Sequence, residues 1–216
     1  MGGFAIQSAN SSVNSGYAIT IKGVSYFNLS NISIYGLFDL GIAITDSIWI
    51  NIDRCEVTGS NYGIYGNSTG LTHSNNWNIS SCIFHNTVQI PIYLQNPAVV
   101  NIYGNNFEHN GLGSSGNLMG AVFVDGGAEE GVAGINFYGN YVENNFGLAD
   151  IYISNNGGFP TSHSIYGNTF NRLSSSNVTD NIFIDNALSS ALITVAIRNN
   201  GFNELYTPTT SQNNIS

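Results

Sequence analysis

Short apolar segments with a single polar or aromatic residue at their centre recur along the whole chain. The clearest unit is an octet: apolar, Asn, apolar, two variable residues, Asn or Cys, one variable residue, then Phe or Val. Copies start at Ile50, Trp77, Val100, Ile135, His163 and Val195, with Ser or Ala in place of the first Asn in the last two, and a degenerate copy starts at Phe27. Successive copies start 23, 27, 23, 35, 28 and 32 residues apart. This spacing indicates coils of fixed strands joined by loops of variable length.

A second alternating segment precedes each octet. These segments are Ile19–Ile21, Ile42–Ile44, Ile64–Tyr65, Ile92–Leu94, Val122–Val124, Ile151–Ile153 and Ile182–Ile184. Because side chains alternate along a β-strand, the flanking Ile, Val and Leu point inward and the middle residue points outward. The Phe or Val that ends each octet begins a third face. The sequence therefore predicts an all-β fold, a single-stranded right-handed parallel β-helix of about seven to eight coils.

The repeat also defines the domain organisation. No charge block or Pro-rich linker interrupts it, so we expect one β-helix domain over residues 1–206. Residues 207–216, TPTTSQNNIS, have the composition of a linker. No apolar run reaches the roughly 20 residues of a membrane-spanning helix, so we expect no membrane insertion.

Stacking the coils about 4.8 Å apart turns each repeated position into a column. We expect one interior column of Ile52, Ile79, Ile102, Phe137, Ile165 and Ile197, with residues 51, 78, 101 and 136 pointing outward. Asn side chains stacked in this way can form a chain of amide hydrogen bonds along the axis. We assign Asn105, Asn140, Asn168 and Asn200 to a sharp corner, where Asn tolerates left-handed backbone.

Cys55 and Cys82 occupy the same octet position in consecutive coils. Their α-carbons are expected about 5 Å apart, within the range of a disulfide bond. Apolar and Asn residues fill this position in other coils. We therefore favour two stacked free thiols over a disulfide.

The charge pattern excludes some partners. Thirteen acidic residues against four basic ones give a net charge of −9, which repels a phosphate backbone, so we expect no nucleic-acid partner. The shortage of Arg and Lys also argues against polyanionic sugars. Only 8% of the residues are charged, a composition that suggests an extracellular, cell-surface or virion-surface protein.

The coils resemble those of the pectin-lyase-like superfamily of right-handed parallel β-helices, which includes bacteriophage tailspike depolymerases. The resemblance covers roughly residues 17 to 206 and implies the fold. It does not imply one activity, because the fold is shared by lyases, hydrolases, epimerases, adhesins and spikes. The sequence lacks the Gly-His-Gly of polygalacturonase-like hydrolases, the calcium-binding Asp cluster of pectate lyases and the Asp-Pro-His of alginate epimerases.

One outward row carries an aromatic residue in five successive coils. Its members are Tyr65, Tyr93, Phe123, Tyr152 and Phe183, and a shorter row contains Tyr103, Tyr138 and Tyr166. Aromatic side chains spaced along a rigid sheet suit sugar rings, with Gln95 and Asn155 as neighbouring hydrogen-bonding residues. The alternative is that long loops, or another subunit in a trimeric spike, cover these rows.

A polar row of Gln95, Asp125, Ser154 and Asp185 lies beside the aromatic one. Asp150, at the opposite end of its own strand, is a further candidate catalytic residue. If the protein is a glycosidase, Asp125 and Asp185 are its acid and base. Two coils separate their α-carbons by about 10 Å, a spacing that favours an inverting mechanism. The alternative is that both aspartates cap turns before Gly126 and Asn186.

The four histidines, His73, His85, His109 and His163, form no ligand spacing, so we expect no metal and no cofactor. The leading hypothesis is a surface β-helix that recognises a neutral or weakly charged polysaccharide, as a binding protein or as a depolymerase (glycosidase or lyase). The alternative is a non-catalytic structural, spike or adhesin module that uses its aromatic rows for self-assembly.

Overall fold

The computed structural model describes residues 4–8, 14–68, 75–112, 120–126, 134–154, 161–173, 178, 180–186 and 192–204. Within these ranges the chain forms 22 β-strands and no helix that is long and apolar enough to cross a bilayer. Asn155, His73 and the segment 207–216 lie outside the described residues.

Strand β1 (Phe4–Gln7) is followed by seven complete coils of three strands each. The first four coils are β2 (Asn14–Lys22), β3 (Ser25–Ser30) and β4 (Ile32–Tyr35); β5 (Phe38–Thr45), β6 (Ile48–Asp53) and β7 (Glu56–Thr58); β8 (Tyr62–Asn67), β9 (Trp77–Ser80) and β10 (Ile83–His85); β11 (Ile90–Gln95), β12 (Val99–Tyr103) and β13 (Asn106–Glu108). The last three are β14 (Val122–Asp125), β15 (Gly134–Tyr138) and β16 (Tyr141–Glu143); β17 (Ala149–Ser154), β18 (Thr161–Tyr166) and β19 (Thr169–Arg172); β20 (Asp180–Asp185), β21 (Ile193–Arg198) and β22 (Gly201–Glu204).

The strands build three parallel sheets that run the length of the molecule. The first sheet has eight strands, in the order β1-β4-β7-β10-β13-β16-β19-β22. The second sheet (β2-β5-β8-β11-β14-β17-β20) and the third (β3-β6-β9-β12-β15-β18-β21) have seven each. Neighbours in every sheet come from consecutive coils, so the fold is the predicted parallel β-helix. Its expected right-handed sense is the one that parallel connections adopt in nearly all proteins.

The interior column predicted from the octet is confirmed. Strand pairing connects Ile52, Ile79, Ile102, Phe137, Ile165 and Ile197 from coil to coil in this order. The first five side chains are 0% exposed, and Ile197, in the last coil, is partly buried. On the outer face of the third sheet, the Asn101 amide donates to Asn78 at 2.9 Å, and the Asn136 amide donates to Asn101 at 2.9 Å.

The corner asparagines have a different role from the one expected. Left-handed backbone occurs one residue earlier, at Gly104, Gly139, Gly167 and Asn199, with φ between 55 and 65°. The asparagines that follow point into the interior and form a ladder of buried amides. Asn140 Nδ2, for example, donates to Ile102 O at 2.9 Å and to Asn168 Oδ1 at 3.1 Å. Asn is used here because it can both donate to and accept from the next coil, and the backbone explanation is wrong.

The two cysteines continue the same column as free, buried thiols. The backbone N–H of Cys82 donates to Asn105 Oδ1 at 2.8 Å, and that of Cys55 contacts Cys82 Sγ at 3.4 Å. The free-thiol interpretation is therefore confirmed.

Candidate functional site

The predicted aromatic row lies on the outer face of the second sheet. Strand pairing places its five members in one column, in the order Tyr65, Tyr93, Phe123, Tyr152 and Phe183. We call this column the aromatic ladder. This pairing confirms the prediction that these residues share one outer face.

The rings of the aromatic ladder pack on one another along the helix axis. Centroids of successive rings are 5.0, 4.9, 4.9 and 5.2 Å apart, with interplanar angles between 4 and 31°. In this geometry each inner ring has its faces against its neighbours. The inner rings therefore present edges to a ligand, and flat stacking of a sugar is restricted to the two ends of the ladder.

Part of the aromatic ladder is also buried. Phe123 is 6% exposed and Tyr152 is 9% exposed, so these two outward-facing residues are covered by other side chains and are not open to a sugar ring. They form a small cluster with Ile90, and Leu148 packs against it. The repeat does not reveal this burial, because Ile90 and Leu148 lie outside the repeated segments.

The predicted polar row is confirmed as a second column on the same outer face. Pairing aligns Asn67, Gln95, Asp125, Ser154 and Asp185 in this order. We call these residues the polar column. Asp125 and Asp185 are two coils apart, as the sequence predicts, with Ser154 between them.

The aromatic ladder and the polar column are linked at Tyr152. Its hydroxyl donates to Asp185 Oδ2 at 2.9 Å, which orients that carboxylate. Burial raises the pKa of Tyr152 to about 12, and the hydrogen bond to Asp185 and the charges of Asp185 and Asp125 add to this effect. Burial likewise raises the pKa of Tyr93 to about 12, with a further contribution from Asp125. The phenols therefore stay protonated and able to donate at neutral pH.

The structure does not bring Asp150 together with Asp125 and Asp185. Asp150 and Ala121 each precede a paired core residue, Ile151 and Val122, and Ala121 is itself part of the core. Two successive residues thus face inward where the chain enters the second sheet, so simple alternation fails there. Asp150 is 3% exposed and lies in the interior corner.

A second buried ladder, which the sequence reasoning missed, ends at Asp150. Thr87 Oγ1 donates to Asn110 Oδ1 at 2.9 Å, Asn110 Nδ2 donates to Asn145 Oδ1 at 2.9 Å, and Asn145 Nδ2 donates to Asp150 Oδ1 at 3.0 Å. Burial raises the pKa of Asp150 to about 7, although the hydrogen bond from Asn145 and the positive charge of Arg172 oppose this rise. Asp150 is therefore a structural group that titrates near neutrality.

This carboxyl predicts a stability that falls as the pH rises. An unfolded Asp titrates near 3.9, so the penalty for ionising buried Asp150 begins near pH 4 and is complete above pH 7. Between pH 5 and pH 8, wild type should lose about 2–3 kcal/mol relative to Asp150→Asn. Chemical denaturation of both proteins across this range measures the difference. His163 is present in both proteins, so its contribution to the pH dependence cancels in the comparison. A difference in stability that does not change with pH would contradict the raised pKa of Asp150.

His163 itself is buried and hydrogen-bonded through one ring nitrogen. Its Nδ1 accepts from the N–H of Ile135 at 3.4 Å, and burial lowers its pKa to about 4. On the first sheet, His85 Nε2 contacts Thr58 Oγ1 at 2.7 Å and Glu56 Oε1 at 3.0 Å, a surface cluster that the sequence reasoning did not identify. The described part of the chain contains no group of three or more His, Cys, Asp or Glu side chains arranged to hold a metal ion.

Comparisons of the chain with protein-family models, curated proteins and solved structures find no match.

Proposed function

We propose that the outer face of the second sheet recognises a neutral or weakly charged polysaccharide at a cell or particle surface. The observation that carries the proposal is the polar column, because four of its five hydrogen-bonding side chains are partly exposed along a rigid sheet whose strands are about 4.8 Å apart. Ser154, the fifth, is 3% exposed. A polymer with a regular row of hydroxyl groups is a suitable ligand for such a row. We also propose that the chain is a distant member of the pectin-lyase-like superfamily.

The charges of the polar column favour an uncharged ligand. From Asn67 to Asp185 its side chains are amides, a hydroxyl and carboxylates, and none is basic. Carboxylates and amide oxygens accept hydrogen bonds from sugar hydroxyls but repel acidic sugars. The edges of the aromatic ladder provide apolar contact alongside these acceptors.

In the catalytic version of this proposal, the enzyme is an inverting glycosidase. Asp125 protonates the glycosidic oxygen, while Asp185, oriented by the Tyr152 hydroxyl, takes a proton from the attacking water. Their α-carbons are two coils apart, about 10 Å, which is at or just above the separation of about 6.5–9.5 Å between carboxyl groups that accommodates the water.

Affinity electrophoresis through gels that contain neutral polysaccharides tests the proposal. We expect retardation of wild type by at least one polysaccharide and a loss of affinity of about 2–10-fold for Gln95→Ala, the equivalent of one hydrogen bond. Asn203→Ala, an exposed variant on the first sheet, is the matched control and should bind as wild type does. Equal binding by Gln95→Ala and wild type would contradict the proposal.

Release of reducing ends from a retained polysaccharide tests the catalytic version. Asp125→Asn and Asp185→Asn should each abolish release while keeping most of the binding. Undiminished activity in either variant, or no release by wild type, would reject the assignment of these carboxylates.

One observation favours the alternative of a structural spike or adhesin module. The faces of the inner ladder rings are occupied by their neighbours, and Phe123 and Tyr152 are buried. A self-assembling module would bury the partly exposed Tyr65, Tyr93 and Phe183 between copies. Sedimentation equilibrium decides this point, because a stable trimer that Tyr93→Ala dissociates would support the alternative.

A further inference from the structure

Two exposed aromatic side chains lie on the third sheet, away from the aromatic ladder. Tyr26 is 72% exposed and Trp49 is 44% exposed. Their rings stack with centroids 4.4 Å apart and an interplanar angle of 13°. Strand β3 is the edge strand of this sheet, so the Tyr26 ring ends the stack on one side. On the other side the Trp49 ring lies towards the next coil.

The backbone of both residues is in an unfavourable conformation. Tyr26 has φ of 62° and Trp49 has φ of 53°, in the left-handed region that costs about 1–2 kcal/mol for a residue with a bulky side chain. The equivalent residue in the next coil is Asn76, with φ of 58°, a residue type that tolerates this region. The sequence thus places aromatic residues where Asn is the less costly choice.

Mutual stacking does not account for this choice. Tyr26 is 72% exposed and Trp49 is 44% exposed, and an aromatic pair contributes about 0.5–1.5 kcal/mol, less than the strain of two such residues. Strained residues of this kind persist where the surrounding structure fixes them, and they cluster at ligand sites.

The surrounding backbone does fix Trp49. Its N–H donates to Asn75 O at 2.9 Å, and the preceding N–H of Ile48 donates to Val24 O at 3.0 Å. Ser47 is 0% exposed, and its carbonyl accepts from Trp77 Nε1 at 2.7 Å. The indole is therefore presented on a preorganised support.

The residues in line with Trp49 in the next two coils are uncharged. On the side away from Tyr26, the Trp49 ring lies towards Asn76, which is exposed, and Val99 in the following coil is 40% exposed. The adjacent outward column consists of amides, namely Asn28, Asn51 and Asn78. An apolar ring face with amide donors and acceptors beside it matches a sugar, which has an apolar face and a rim of hydroxyl groups.

We propose that Trp49 and Tyr26 form a binding platform for a neutral saccharide on the outer face of the third sheet. The platform is separate from the polar column and does not depend on it. A pyranose stacks on the indole over Asn76, and the neighbouring asparagines bind its hydroxyl groups. Neither of these two outward columns contains a basic side chain that could pair with the carboxylate of an acidic sugar.

Tryptophan fluorescence tests the platform directly, because the chain has two tryptophans and Trp77 is 1% exposed. Neutral hexose and pentose oligosaccharides should change the wild-type emission and protect it from iodide quenching. Trp49→Phe should retain binding by calorimetry while losing the fluorescence response. Trp49→Asn should lose at least tenfold in affinity.

Stability separates a ligand platform from a structural role. Trp49→Asn recreates the residue of the next coil, so its melting temperature should equal or exceed that of wild type while binding is lost. Gln95→Ala should keep the fluorescence response in full, so the proposal for the platform is tested separately from the proposal for the polar column. A lower melting temperature in Trp49→Asn, no response to any saccharide, or a dimer that Trp49→Asn dissociates would overturn the proposal.

Discussion

Ile102→Asp should leave the protein unfolded, or destabilised by more than about 4 kcal/mol, at neutral pH. Ile102 is 0% exposed and lies in the interior column between Ile79 and Phe137. A carboxylate at this position would have no water and no cationic partner from these neighbours, so the desolvation penalty is severe. Urea unfolding followed by circular dichroism measures the loss.

Two variants control for this result. Ile102→Val removes one methylene group and should cost about 0.5–1.5 kcal/mol. Asn101→Asp introduces the same carboxylate one residue earlier, on the outward side, and should leave the fold intact. Equal stability of Ile102→Asp and Asn101→Asp would mean that the inward and outward assignments of this strand are incorrect.

Asn140→Ala should cost about 3–5 kcal/mol, the second largest effect that we expect. Its side-chain oxygen, Oδ1, accepts from both the backbone N–H and the side-chain amide of Asn105 at 3.0 Å. Its own amide donates to Ile102 O at 2.9 Å and to Asn168 Oδ1 at 3.1 Å. Removing the side chain leaves these buried groups unsatisfied, at about 1–3 kcal/mol for each donor or acceptor that finds no other partner.

The outward amide chain provides the matched control. Asn101 accepts from Asn136 and donates to Asn78, both at 2.9 Å, but these side chains are partly exposed and water can replace the lost partner. Asn101→Ala should therefore cost less than about 1 kcal/mol. Thermal unfolding of the two variants compares them, and similar losses would contradict the assignment of the interior ladder as the stabilising one.

Much of the fold follows from the sequence, because a parallel β-helix converts each repeated position into a column. The octet fixed the register of Ile52, Ile79 and Ile102 without further information. The same alignment placed Asp125 and Asp185 two coils apart on one face. Period-two alternation and a constant order of segments are local properties, so the sequence alone determines them.

The predictions that were wrong concern side chains whose contacts lie in neighbouring coils. The stacking of ring faces along the aromatic ladder is a consequence of coil spacing, which no single segment contains. Asp150 lies inward because the chain bends at the entry to the second sheet, so alternation from Tyr152 gives the wrong side. The backbone role predicted for Asn140 was wrong because its side chain bonds to Asn105 and Asn168 in the two neighbouring coils. The left-handed residue is its neighbour Gly139, with φ of 64°.

A crystal structure of the protein with a retained neutral oligosaccharide tests the central claim most directly. We expect sugar along β11, β14, β17 and β20 on the outer face of the second sheet, hydrogen-bonded to Gln95, Asp125 and Asp185. Sugar at Trp49 alone would support the separate platform and contradict the claim for the second sheet. Sugar on neither face, or an assembly that buries the aromatic ladder between copies, would contradict the claim as well.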